Sequence, residues 1–335
     1  MRALVTGANG HLGFNLVQAL LARGDEVRAG VRSVADVGKS EVLRALPGVE
    51  VVGADLGQPA QLRAAMDGID TLFHVAAVFA TTDPSRDAEV LRTAIEGTEA
   101  SLRAARDAKL RRVVMTSSMV TLPFTAPGAP PATEADWNDD LRVTYFRAKV
   151  EAERLAWQLA RELKLDLVTV LPGGLIGPGF RRNTPTIDIV QAALMGEFRF
   201  GVPVGNVPFI DVRDVVDAHL RLAERSIGGR FIAGPEVAPS YRQLVETLRR
   251  IDPRVPRPLM TLPRQAAPML PLYDALSHHL FGTPRIATPE VVRSAVSGKV
   301  WNGSSARAKT ELGWMPRVPF EQSLAETLAV LRPPR

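Results

Sequence analysis

The chain has 335 residues, 46% hydrophobic and 23% charged, which is enough to bury a sizeable core and too ordinary for a disordered chain. It has no cysteine, which excludes disulfides, thiolate catalysis and cysteine-ligated metals. Net charge is +5 and 35 of the 41 basic residues are arginine, but they are scattered, their longest runs are pairs such as Arg111-Arg112, and aromatics are only 6%; this is the pattern of a solvated basic surface, not of a nucleic-acid face.

In chain order, Arg2–Thr6 reads as a short apolar strand, and His11–Arg23 repeats apolar residues at helical spacing (Leu12, Leu16, Ala19, Leu20). Glu26–Val31 alternates as a second strand. Val49–Val52, Thr71–Val75, Arg112–Thr116 and Asp166–Val170 follow as further strands, with helical patterns between them that include Ala88–Ala108 and Leu141–Leu163. Strand–helix alternation implies parallel strands joined by crossover helices, hence an α/β doubly wound sheet. After Leu171 the texture changes. Pro172-Gly173-Gly174, Gly177-Pro178-Gly179 and Pro185 are expected to break regular structure, Phe209–Glu224 reads as a short strand and a helix, and Gly229–Ala233 as a late strand returning to the sheet. The expected division is a nucleotide-binding domain of residues 1–172, rejoined by 209–234, and a smaller C-terminal substrate lobe of residues 173–208 and 235–335. Apolar runs such as Val75–Ala80 fall far short of the ~20 residues of a bilayer crossing. The opening Met1–Val5 reaches Gly7 too soon for an apolar targeting segment. A cytoplasmic protein without membrane or nucleic-acid partners is expected.

Thr6-Gly7-Ala8-Asn9-Gly10-His11-Leu12-Gly13 follows the first strand and opens the first helix. Glycines three apart there let the backbone turn tightly and approach a pyrophosphate at the helix N-terminus. An NAD site places an acid ~20 residues further on, against the ribose 2′-hydroxyl. Here the second strand ends Val31-Arg32-Ser33, so Arg32, with Lys39 one loop later, suits a 2′-phosphate and favours NADP(H) over NAD. Asp55-Leu56 after the third strand is a candidate for the adenine edge. Val75-Ala76-Ala77 after the fourth is small enough for the cofactor to pass, and His74 reads as a structural strand-end residue.

Tyr145 and Lys149 stand at i and i+4, on one face of a helix. Upstream, Thr116-Ser117-Ser118 ends the fifth strand at the edge where such sheets bind ligands. Carbonyl reduction needs a proton for the oxygen that becomes an alkoxide. A phenol with an ordinary pKa near ~10 suits pH 7 poorly, and a neighbouring ammonium favours its ionised form. Ser118 is the candidate for holding the carbonyl oxygen.

With these motifs in view, the sequence resembles the extended short-chain dehydrogenase/reductase family, and within it the dihydroflavonol reductase-like carbonyl reductases. The likeness rests on Thr6–Gly13, Asp55-Leu56, Phe73–Ala77, Thr116–Ser118, Tyr145–Lys149, Leu171–Pro178, Phe209–His219 and Leu312-Gly313-Trp314. It implies a Rossmann-type fold and an NADPH-dependent reduction of an aldehyde or ketone, or the reverse. In that scheme Ser118 polarises, Tyr145 is the acid/base, Lys149 binds the nicotinamide ribose and tunes Tyr145, Pro172-Gly173-Gly174-Leu175 lines the nicotinamide, and Arg32 with Lys39 meets the 2′-phosphate. Ala94 stands where many sugar epimerases of the family carry Asn, and Ser118 is followed by Met119-Val120-Thr121-Leu122 instead of leading to a Tyr-Gly pair. Both departures favour a reductase over a nucleotide-sugar epimerase or dehydratase, and the retained Tyr145 and Lys149 argue against a non-enzymatic NADP(H)-responsive regulator.

Phe79, Phe124 and Phe180, with Trp137, Phe198 and Phe200, are candidates for an apolar substrate pocket. Asp211 and Asp214 suit a helix start better than a paired-carboxylate site. Adjacent His278-His279 diverge on a helix, and no metal is expected. A monomer or a homodimer paired through the two long helices fits equally.

Overall fold

The computed structural model describes residues 1–77 and 84–332; Phe79 and the side chain of Lys39 lie outside what is described. Alternating strands and helices run β1 (Arg2–Thr6), α1 (His11–Ala22), β2 (Glu26–Val31), α2 (Val37–Arg44), β3 (Val49–Gly53), α3 (Pro59–Met66), β4 (Thr71–His74), α4 (Asp87–Asp107), β5 (Arg112–Thr116), α5 (Thr144–Leu163) and β6 (Leu167–Pro172). The remainder is β7 (Gly174–Ile176), α6 (Pro185–Leu194), β8 (Phe209–Asp211), α7 (Val212–Glu224), β9 (Gly229–Ala233), α8 (Tyr241–Ile251), α9 (Leu270–Phe281), α10 (Pro289–Ser297), α11 (Ala306–Leu312) and α12 (Phe320–Leu331).

Seven strands form one sheet in the order β3-β2-β1-β4-β5-β6-β9, every neighbouring pair parallel. The Rossmann-type fold inferred from alternation is therefore the fold present. Chain direction across the sheet reverses between β1 and β4, which opens a crevice at their carboxyl ends. Strands buried on both sides need apolar side chains throughout, and β6 is buried along its whole length. One face packs Leu16, Leu20, Val215 and Leu222 from α1 and α7; the other packs Leu102, Ala105, Ala156 and Leu159 from α4 and α5.

The lobe has its own core of Ile187, Val190, Phe198, Tyr241, Leu244 and Leu324. Three local expectations need correction. Gly174–Ile176 is a strand, paired in parallel with β8, because Gly173 lets the chain run against Pro208: a Cβ there would lie 2.0 Å from its carbonyl oxygen. Pro185 opens α6 where a break was expected, since Thr184 caps the helix and proline at its first turn gives up no needed donor. The segment assigned wholly to the lobe also divides, because Ala308, Leu312 and Trp314 pack into the sheet's core. The Trp314 indole donates to the Asp214 carbonyl at 2.8 Å.

Candidate active site

Thr6 at the end of β1 sets the crevice. Its Oγ1 accepts the N–H groups of Val75 and Ala76 at 3.1 and 3.2 Å and lies 3.3 Å from His74 Nδ1. Burial holds the His74 pKa down to about 4, helped by the Lys149 charge, so the ring is neutral and accepts the Thr6 hydroxyl. This staple brings Ala76 against Gly7. Gly7 has φ of 67°, and a Cβ there would meet the Ala76 Cα at 2.8 Å. At Gly13 a Cβ would sit 2.2 Å from the Gly7 carbonyl oxygen, so only glycine lets α1 start this close to the turn. No side chain caps α1 and no acid lies in its first turn, which leaves its N–H groups for an anion. Arg32 is exposed directly after β2. These features fit a dinucleotide: the residues that would hold it are the Gly7–Gly13 turn, the first turn of α1, and Arg32.

His11 and Leu12 enter that site through their backbone only. The Leu12 side chain is in the core, and His11 Nε2 donates to the Pro178 carbonyl at 3.0 Å. Asn9 is half-buried in the turn and Gly10 is exposed. After β3, Asp55 accepts the Gly57 N–H at 3.0 Å, which turns the chain there.

The crevice continues between β4, β5 and α5, where its lining includes Leu56, His74, Ala76, Ala77, Thr116, Ser117, Tyr145 and Lys149. Tyr145 and Lys149 thus share one cleft, one helical turn apart. Burial lowers the Lys149 pKa to about 8, against the opposing pull of the Glu153 charge, so the side chain is an ammonium at pH 7. Helix α5 starts three residues later than its periodicity suggests, because Asn138 Oδ1 takes the Asp140 N–H at 3.0 Å and holds a turn instead. Ser118 is one residue beyond the lining. Its Oγ accepts the Val120 N–H at 3.2 Å, which leaves its own O–H to donate. The Ser117 hydroxyl is already committed to Glu153 at 2.7 Å. The loop Pro172–Leu175 does not line this part of the cleft; Leu175 packs on the sheet's core.

Sequence reasoning missed the support behind these groups. Glu153, one further turn along the Tyr145–Lys149 face, is completely buried and accepts Ser117, Thr169 (2.7 Å) and Arg230 Nε (3.0 Å). Three further Arg230 N–H groups reach the Glu134 and Asp136 carbonyls and Thr121 Oγ1, within 2.8 Å, and the last reaches Glu153 Oε2 at 3.4 Å. Trp137 stacks 3.7 Å over its guanidinium. This pair joins α5, β6, β9 and the loop that carries Ser118. Tyr-x-x-x-Lys-x-x-x-Glu at helical spacing announces Glu153; nothing local distinguishes Arg230 among 35 arginines. On the other side, His219 Nδ1 donates to the Val215 carbonyl, and its Nε2 accepts Thr116, both at 2.8 Å.

Among the described residues, the aromatic candidates do not converge. Phe180 packs edge-on to His11 inside the lobe's core, and Phe198 packs there on Tyr241, because apolar rings on lobe loops find core partners first. Phe200 is exposed, and Trp137 borders an open groove on another face of α5, between Arg154 and Arg230. Phe124 lies tilted against Trp301, 3.8 Å between centroids, with Phe146 as its other ring contact at 5.9 Å.

Geometry and motif both point to one group of proteins. A model of the NAD dependent epimerase/dehydratase family matches residues 3–234. The chain belongs to this family. Within it, the extended short-chain dehydrogenase/reductases of dihydroflavonol reductase type are its relatives. It is 33% identical over 339 residues to sterol demethylase protein B of Methylococcus capsulatus, covering 97% of this chain and 98% of that one. It is 35% identical over 246 residues to dihydroflavonol 4-reductase of Zea mays, covering 68% of each. The crystal structure of gox2253 superposes with a TM-score of 0.81 at 28% identity, over 98% of this chain and 96% of that one. The family assignment supports a nicotinamide cofactor and an enzyme of the oxidoreductase/epimerase kind.

His11, His74 and His219 are all buried with pKa values lowered to about 4, so all three are neutral in the folded chain. The unfolded chain binds more protons between pH 6.5 and 4, so stability falls as pH drops through that window. At pH 5 the loss is about 2 kcal/mol per histidine relative to pH 7. Urea unfolding at the two pH values measures it, and an unchanged midpoint contradicts it.

Proposed function

We propose that this family member is an NADP(H)-dependent carbonyl reductase acting through Ser118, Tyr145 and Lys149. The observation that carries the reading is the half-buried Lys149 ammonium one turn from Tyr145, in a cleft that opens beside the Gly7–Ala76 approach. A nicotinamide cofactor, when bound, supplies or accepts the hydride. Tyr145 gives its phenolic proton to the substrate oxygen as charge develops there, and takes it back in the reverse direction. The Lys149 ammonium, held in a low-dielectric cleft, stabilises the negative charge left on the phenol oxygen. Ser118, with its oxygen already satisfied by Val120, turns its O–H to the carbonyl oxygen. Neutral His74 adds no competing positive charge beside Lys149.

The likeness over nearly the whole chain to a protein named for sterol demethylation supports an apolar ketone or alcohol as substrate. A panel of aldehydes, ketones and alcohols with both cofactors tests the reading. NADPH consumption with at least one carbonyl is expected, and none with any of them contradicts it. Exposed Arg32 is the proposed 2′-phosphate contact, with Lys39 as a second cation. Arg32→Ala is expected to weaken NADPH binding about tenfold or more and to leave NADH within about twofold, measured by fluorescence titration. An equal loss for both removes Arg32 from that role.

A further inference from the structure

Helix α9 carries an exposed apolar stripe. The two side chains it buries are both polar: Asp274 and Ser277 are 3% and 5% exposed. Asp274 accepts the N–H groups of Ile286 and Ala287 and pairs with Arg285, while Ser277 donates to Glu197. Leu272, Leu276 and Leu280 recur every fourth residue, a single stripe of the helix, and are 65%, 55% and 58% exposed. The stripe continues onto a neighbouring segment, because the Arg199 guanidinium lies 5.2 Å from the Phe200 ring and 5.7 Å from the Phe281 ring. The Leu259 N–H donates to the Arg199 carbonyl at 3.0 Å, and Phe200, Leu259 and Phe281 are all exposed. Single exposed apolar residues are ordinary; a helical stripe continuous with three further side chains is not.

Charge selects the occupant. From Pro253 to Pro289 the sequence holds one acid, the buried Asp274, which pairs with Arg285; Arg254 pairs with Asp252 just before this stretch, and Arg257 and Arg264 add to its positive charge. Arg199, Arg257 and Arg264 are exposed. A second copy placed on this face about a two-fold axis would set the same cations against one another. An anionic bilayer offers the opposite: apolar chains for the stripe and phosphates for the rim.

We propose that α9, with Phe200 and Leu259, docks on an anionic lipid bilayer and lies in its interface. Twelve residues do not cross a membrane. The expectation of no membrane partner rested on the absence of a spanning segment, and an interfacial helix needs none. None of these side chains is among those lining the cleft of Tyr145 and Lys149, so failure of this proposal leaves the catalytic reading untouched.

The test is flotation of the full chain with vesicles of phosphatidylcholine alone or mixed with phosphatidylglycerol. The chain is expected to float with the mixed vesicles and less with the neutral ones. Leu272→Ser/Leu276→Ser/Leu280→Ser is expected to partition about a hundredfold more weakly, with its thermal midpoint unchanged because the side chains are exposed. Arg257→Glu is expected to lose the preference for anionic lipid. Absence of flotation with either vesicle, or equal flotation of the triple variant, overturns the proposal. So does a dimer in solution that the triple variant splits while neither form floats, which would give the face to a second copy.

Discussion

Replacing Tyr145 with Phe is expected to cut carbonyl reduction about a thousandfold and to leave dinucleotide affinity within about twofold. The ring sits at the first turn of α5, and Phe keeps its shape and helix propensity, so only the exchangeable proton is removed. Lys149→Met removes the neighbouring charge instead. Lys149 is an ammonium below its pKa of about 8 and loses its proton above it. The wild-type reduction rate is therefore expected to fall as pH rises through about 8, and the variant to lack that limb. Steady-state rates from pH 6 to 10 beside cofactor titrations separate the two residues. A Phe variant with wild-type turnover removes Tyr145 from the chemistry.

The second large effect lies behind the site. Glu153 and Arg230 form a buried pair in which every guanidinium N–H is used and the carboxylate has two further hydroxyl donors. Removing one partner strands the other charge among apolar side chains. Arg230→Met or Glu153→Leu is thus expected to cost about 3–5 kcal/mol in urea unfolding, and the double variant less than the sum of the two. Additive losses contradict a coupled pair. In a single variant that still folds, the loop bearing Ser117, Ser118 and Thr121 loses its anchor. Turnover then falls further than cofactor affinity does.

How much of this was legible depended on whether the signal was local. Strands β1, β2, β5 and β9 stand where alternation put them, because a parallel strand buried on both faces declares itself in its own residues. The glycine turn was equally readable, since φ at Gly7 and the approach of Gly13 leave no room for another residue. Position along a helix was readable too: Tyr145 and Lys149 share a cleft as their spacing requires. What was not legible depends on distant partners. Arg230 becomes special only when β9 lays it against Glu153, 77 residues earlier in the chain. The place of Phe180 was hidden for the same reason, because residue type says a ring will be covered but not by what; Phe180 is covered by His11. Pro185 misled because proline both ends and begins helices, and Thr184 before it decides which.

The most direct test of the central claim is the stoichiometry of turnover. Wild-type protein, freed of bound dinucleotide and mixed with NADPH and an apolar ketone that it accepts, should yield one alcohol per NADPH consumed, and the Tyr145→Phe variant almost none. If NADPH is not consumed, and the purified chain instead retains its dinucleotide and isomerises a nucleotide sugar, the reductase account is contradicted.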